Sequence, residues 1–165
     1  MTAQPLPRYR NCFVCGYENP IGLHVHPHLE GNAVVISFTP GQEHCGFRGA
    51  LHGGITAALL DEAMFWAAAV GLHKTVVTAE LQVRYSKPVP IGEPVRVEAH
   101  LLEAKRRTAR TRGVLLNEMG DVLVKAEGKY VAIQSDNSSL ADFFPDDEGM
   151  QTFDLSRLNI EPVEA

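Results

Sequence analysis

Residues 52–72 read HGGITAALLDEAMFWAAAVGL, and their reading decides the fold. Alanine and leucine dominate, no proline interrupts, and the β-branched Ile55 and Val70 lie near the ends, so the stretch predicts one helix. It is apolar on nearly every side, which predicts burial all round instead of a place on a surface. A membrane span is the rival by length, but the adjacent carboxylates Asp61 and Glu62 at its centre argue against it.

Working outward, residues 75–85 alternate, with Val77, Ala79, Leu81, Val83 and Tyr85 on one face and Thr78, Glu80, Gln82 and Arg84 on the other. Residues 94–103 alternate again, and 108–116 with 121–133 predict a hairpin joined at Asn117–Gly120. Before the helix, 24–29 and 33–39 predict a shorter hairpin around Glu30-Gly31-Asn32, followed by a loop from Pro40 to Leu51. The order is two short strands, one buried helix and an antiparallel meander. This is α+β, with the helix against one face of a sheet. Residues 1–23 read as an N-terminal arm and turn-rich segment, 24–133 as the domain, and 134–165 as an acidic extension.

The 165 residues suffice for one domain, and 45% apolar with 21% charged residues is the composition of a globular protein. The net charge of -5 argues against a nucleic-acid partner. That charge is uneven: residues 134–165 hold eight acids and one base, so the rest of the chain is mildly basic. Residues 1–10, MTAQPLPRYR, predict no signal peptide. Three cysteines are too few for a disulfide framework, so a reducing, cytoplasmic location is expected.

The chemistry-bearing feature is His52-Gly53-Gly54 followed by Asp61. Tandem glycines at a helix start leave the first amide N–H groups open to a negatively charged oxygen. Asp61 lies deeper in an apolar helix, where an unpartnered carboxylate is costly. Either Asp61 is catalytic, or it pairs with a nearby Thr or base while the glycines merely allow tight packing.

HGGITAALLDEAM, with TAELQVRYSKPVPIGEPVRV downstream and CFVCGYENPIGL upstream, resembles the hot-dog-fold acyl-CoA thioesterases of the PaaI-like type over roughly residues 12–133. The resemblance implies a long central helix wrapped by an antiparallel sheet, a homodimer or dimer of dimers, and hydrolysis of acyl-CoA without metal or organic cofactor. It implies that the Gly53 amide polarises the thioester carbonyl, with Gly54 beside it, and that Asp61 is the nucleophile or general base. Thr78 would hold the attacking water or the carboxylate, and His52 would shape the helix start. The pattern departs from the family before His52, where residues 46–51 offer no Asn or Gln as a second carbonyl donor. Gln42, Glu43 and His44 lie further back.

Helix geometry adds a constraint of its own. At 1.5 Å per residue, Gly53 and Asp61 stand roughly 12 Å apart along one axis, too far to act on one carbonyl. If both act, Gly53 of one copy faces Asp61 of another. Glu62 points about 100° away from Asp61 around the helix; it is a second-choice base, and more readily a structural partner for Arg84. Phe65, Trp66 and Met64 are candidates to line an acyl or aryl pocket. Lys105, Arg106, Arg107, Arg110 and Arg112 form the densest basic run, suited to CoA phosphates, and the acidic tail is placed to compete for them. Cys12-x-x-Cys15 with His24, His26 and His28 invites a metal reading. With no second Cys-x-x-Cys, a tight turn with buried thiols is expected and no metal is assigned. A non-catalytic acyl-CoA-binding protein and a hydratase remain as alternatives to a thioesterase.

Overall fold

The apolar run forms one helix, α1 (Gly53–Leu72), in a computed structural model that describes residues 3–133, 140 and 143–164. His52 caps its start, accepting the Gly54 N–H on its side chain. His73, in the left-handed region at φ 51°, ends it by returning its own N–H to the carbonyls of Ala69 and Val70. By length and composition α1 could cross a bilayer, with a mean hydropathy of 1.5. Protein covers much of it: Leu59, Leu60, Ala63, Met64, Ala67 and Ala68 are wholly buried, whereas Gly54 is exposed and Ala57, Ala58, Asp61 and Phe65 are half-buried, so the expected burial all round is met only in part.

The cover is a sheet. Its strands are β1 (Gln4–Pro5), β2 (His28–Glu30), β3 (Ala33–Phe38), β6 (Val76–Tyr85), β7 (Val95–Ala104), β8 (Thr108–Asn117) and β9 (Val122–Ala132), while β4 (Cys45–Phe47) and β5 (Ala50–Leu51) form a small ladder of their own. The sheet is antiparallel in the order β1-β2-β3-β7-β8-β9-β6. The inward face of β7 is Val95, Val97, Ala99 and Leu101, all buried against α1. Two glycines set how closely the helix sits. A Cβ on Gly113 would lie 2.9 Å from Met64 Sδ, and one on Gly128 would lie 2.9 Å from Met64 Cε. This is the hot-dog arrangement expected from the sequence.

Three sequence expectations change. First, of residues 24–29 only His28 and Leu29 are strand, in β2. His24 sits at φ 55°, so His24 and His26 do not project from a common strand face. Second, the register of β6 on β9 shifts between Thr78 and Glu80, and this bulge turns the alternation over. Thr78 therefore faces α1 together with Leu81, Val83 and Tyr85, instead of opposing them. Third, the arm is structured: β1 pairs with β2, and Leu6 is buried.

The loop from Pro40 carries a short turn of 3-10 helix before the β4–β5 ladder. The described part of the tail docks on the body. Met150, Leu155, Leu158 and Ile160 are buried, and Val163 N–H donates to the Leu101 carbonyl. Asp147 caps the short helix α2 (Glu148–Gln151) and accepts the Arg10 N–H at 2.9 Å, joining tail to arm.

Candidate active site

At the start of α1, His52 Nδ1 accepts the Gly54 N–H at 2.9 Å. The Ile55 and Thr56 amides both reach the His52 carbonyl at 3.0 Å. Among the described residues the Gly53 amide is left without an acceptor, so it is the one open donor of the first turn. Tyr85, on β6, steadies this end by donating its hydroxyl to the Gly53 carbonyl at 2.7 Å. The surrounding cavity of ≈ 510 Å³ is lined by His52, Gly53, Tyr85 and Lys87 among others, and by none of Gln42, Glu43 or His44.

Asp61 lies two turns further along. Its Oδ1 accepts the Thr78 hydroxyl at 2.9 Å and the Tyr130 hydroxyl at 2.8 Å. Thr78 and Tyr130 are cross-strand partners on β6 and β9, so the sheet presents both donors to one oxygen. No described hydrogen bond ends on Oδ2. Burial, then the Asp61 charge and hydrogen bond, push the Tyr130 hydroxyl up; it keeps its proton and stays a donor. The sequence reading missed Tyr130. Its inward parity was visible in β9, but its meeting with Asp61 depends on a pairing 69 residues away in the chain.

Glu62 turns to other company, and not to Arg84. Its Oε1 accepts the Trp66 indole N–H at 3.2 Å, and Cys12 Sγ lies 3.8 Å from Oε2. Burial, followed by the Cys12 charge, pushes its carboxyl up to about 7. Cys12 is lowered to about 6, chiefly by its hydrogen bond with Cys15 and then by backbone N–H groups, whereas that same bond and burial push the Cys15 thiol up. The cavity here, ≈ 260 Å³, is lined by Asp61, Glu62, Cys12 and Cys15 at one side and by Tyr9, Phe65, Trp66, Phe144 and Met150 around it. Phe65 and Trp66 thus line a pocket as expected. Met64 does not, being spent on the glycines of β8 and β9.

Gly53 and Asp61 therefore open on different cavities of one chain. Arg106 and Arg107 lie exposed in the turn between β7 and β8, where Arg107 accepts the Ala132 N–H on its carbonyl and Ala109 pairs with Tyr130. Arg110 is paired with Glu127 at 3.1 Å. The described ion pairs of the tail run to Arg10 and Arg157.

This geometry can be set beside known proteins. The sequence profile of the thioesterase superfamily matches residues 48–124, which include the start of α1, Asp61 and Thr78. Acyl-coenzyme A thioesterase 13 of Homo sapiens is 30% identical over 112 residues, 62% of this chain and 75% of that one. The chain belongs to the thioesterase superfamily. A solved thioesterase superfamily protein is 33% identical with a TM-score of 0.69, matched over 74% of this chain but only 60% of that protein's length. The superfamily fold is also that of a variant of the phenylacetic acid degradation protein PaaI of Thermus thermophilus, 26% identical at a TM-score of 0.60 over 67% of this chain and 95% of that one.

Proposed function

We propose that the protein hydrolyses an acyl-CoA thioester at a site shared between two copies of the chain, in a homodimer or dimer of dimers. The observation that carries this reading is the separation of Gly53 from Asp61 into two cavities. The Gly53 amide of one copy meets the thioester oxygen, whose growing charge it stabilises more than the ground-state carbonyl. Asp61 of the other copy, held through Oδ1 by Thr78 and Tyr130, uses Oδ2 to take a proton from water or to attack the carbonyl carbon. The tetrahedral intermediate then expels the CoA thiolate, leaving the free acid when water has added, or an Asp61 anhydride that a water molecule opens to the acid and the restored carboxylate when Asp61 has attacked.

Strand β6 favours such an assembly. It closes the sheet order, so among the described residues one of its edges is open, and it exposes Val77 by 48% and Tyr85 by 53%, an invitation to pair with a second copy. The aromatic cavity beside Asp61 suits the acyl or aryl group. Arg106 and Arg107, near Tyr130 at the same end of the sheet, suit the CoA phosphates.

Two variants test the shared site. Asp61→Asn removes the base. Gly53→Pro removes the amide donor at the first helical position, where proline is tolerated; a Cβ there meets Tyr85 at an ordinary 3.5 Å. His52 already has the extended backbone that precedes proline, φ -61° and ψ 131°. Each variant alone should lose thiol release from acyl-CoA. Unfolded and refolded together in equal amounts, they should regain about a quarter of wild-type activity, because half the dimers are mixed and each mixed dimer holds one intact site. No regain overturns the shared site. Tight acyl-CoA binding by the wild type with no thiol release favours a binding protein instead.

A further inference from the structure

The turn after Cys12 has a geometry that packing alone does not require. Val14 and Cys15 aim their N–H groups at Cys12 Sγ from 3.3 and 3.4 Å, and Gly16 N–H donates to the Cys12 carbonyl at 3.0 Å. A Cβ on Gly16 would collide with that carbonyl and lie 2.6 Å from Cys12 N, so the chain can fold back this tightly only with glycine after Cys15. The result is a Cys-x-x-Cys-Gly turn that brings both sulfurs together, with backbone amides favouring a negative first sulfur. Cys12 Sγ, Cys15 Sγ and a Glu62 carboxylate oxygen all lie within 4.8 Å of one another. Glu62 is oriented by Trp66, whose indole N–H holds Oε1 at 3.2 Å and leaves Oε2 on the side of Cys12.

We propose that Cys12, Cys15 and Glu62 form a three-ligand site for one zinc-class divalent ion, which fastens the N-terminal segment to α1. Sequence reading set metal aside for want of further ligands; the third comes from the helix, 50 residues on from Cys12. Zinc–sulfur bonds of ~2.3 Å at a tetrahedral centre put two sulfurs roughly 3.8 Å apart, so small side-chain rotations close the site without moving backbone. Two thiolates select a borderline-soft ion over magnesium or calcium, which want six or more oxygens. Binding releases the thiol protons to water. The trio lines the cavity of ≈ 260 Å³, which leaves room for water as a fourth ligand. Trp66 acts on the ion through Glu62, as an orienting partner.

The test is metal content and cobalt spectroscopy on the full chain. Protein prepared without chelators should carry close to one zinc per chain. After zinc is removed, titration with Co²⁺ should give a thiolate charge-transfer band in the near ultraviolet and the visible bands of a tetrahedral ion. Cys15→Ser should remove the band. Glu62→Gln should keep the thiolate band and weaken Co²⁺ binding by ~10-fold or more; its fold, checked by circular dichroism, keeps the test valid if the cysteine variant fails to fold. Asp61→Asn should bind as the wild type does. Little zinc with both thiols free to react, a Cys12–Cys15 disulfide in fresh protein, or Co²⁺ affinity indifferent to Glu62→Gln overturns the site. None of these readouts uses thioester turnover, so the site and the proposed hydrolysis fail separately.

Discussion

Asp61 and Glu62 are adjacent on one helix and line one cavity, yet the molecule treats them differently. Asp61 faces the sheet and receives two neutral hydroxyls from paired strands. Glu62, about 100° around the helix, faces the N-terminal arm and sits against an indole and a thiol. The Asp61 side is built almost wholly within the residues that match the superfamily, with Tyr130 just beyond them. On the Glu62 side, Cys12, Cys15, Phe144 and Met150 come from segments outside that match. The contrast teaches that one helix can set a carboxylate among residues of the superfamily match on one face and against a wall built from segments outside it on the next.

The strongest way to break the contrast is to exchange the two acids' fates. Asp61→Asn should cut kcat by ~10²–10⁴-fold, the range for a lost general base, and Glu62→Gln should cut it by far less. Equal losses would erase the distinction. Gly53→Pro should cost ~10²–10³-fold, as loss of one oxyanion donor does.

Tyr130→Phe sharpens the Asp61 side alone. It keeps the ring in the core and removes one donor from Oδ1. A drop of ~10-fold in kcat with KM little changed is expected, in line with a hydrogen bond to a charged group. A change in KM with kcat intact would make Tyr130 a packing residue.

The wall built outside the superfamily match predicts selectivity. Phe144→Ala opens the cavity and should raise kcat/KM for longer acyl chains relative to shorter ones by ~10-fold, read from a chain-length series. An unchanged ratio would place the acyl group elsewhere. The smallest effect is expected from Asp147→Ala, which removes a helix cap and the acceptor of the Arg10 amide. It should cost ~1–2 kcal/mol, seen as a lowered Tm with little change in kcat. Removing residues 134–165 outright is no substitute, because Met150, Leu155, Leu158 and Ile160 are buried and their loss would bare the core.

Where sequence patterns were local, they read correctly. The helix at 53–72, the strand faces of β7 and the hairpin of β8 and β9 follow from periodicity and turn chemistry a few residues apart. The bulge after Thr78 was not legible, since one unpaired residue reverses the parity of a strand without changing its composition. The arm lacked a readable pattern, and in the tail the apolar Phe144, Phe153, Leu155, Leu158 and Ile160 signalled that it could dock but not where, because the order of both segments comes from a surface made elsewhere.

By itself, then, the sequence determined an α+β chain with one buried helix, an open amide at Gly53 and a carboxylate eight residues on, roughly 12 Å along the axis. If both groups act on one carbonyl, that spacing requires a second copy of the chain. The resemblance had already named Thr78 for Asp61; only the tertiary structure decided the other groups each carboxylate meets, Tyr130 for Asp61 and Trp66 with the Cys12 turn for Glu62. The reason is physical. Helix and strand periods are set by neighbouring residues, but hydrogen bonds spanning 50 or 69 residues depend on strand register and on where distant segments dock.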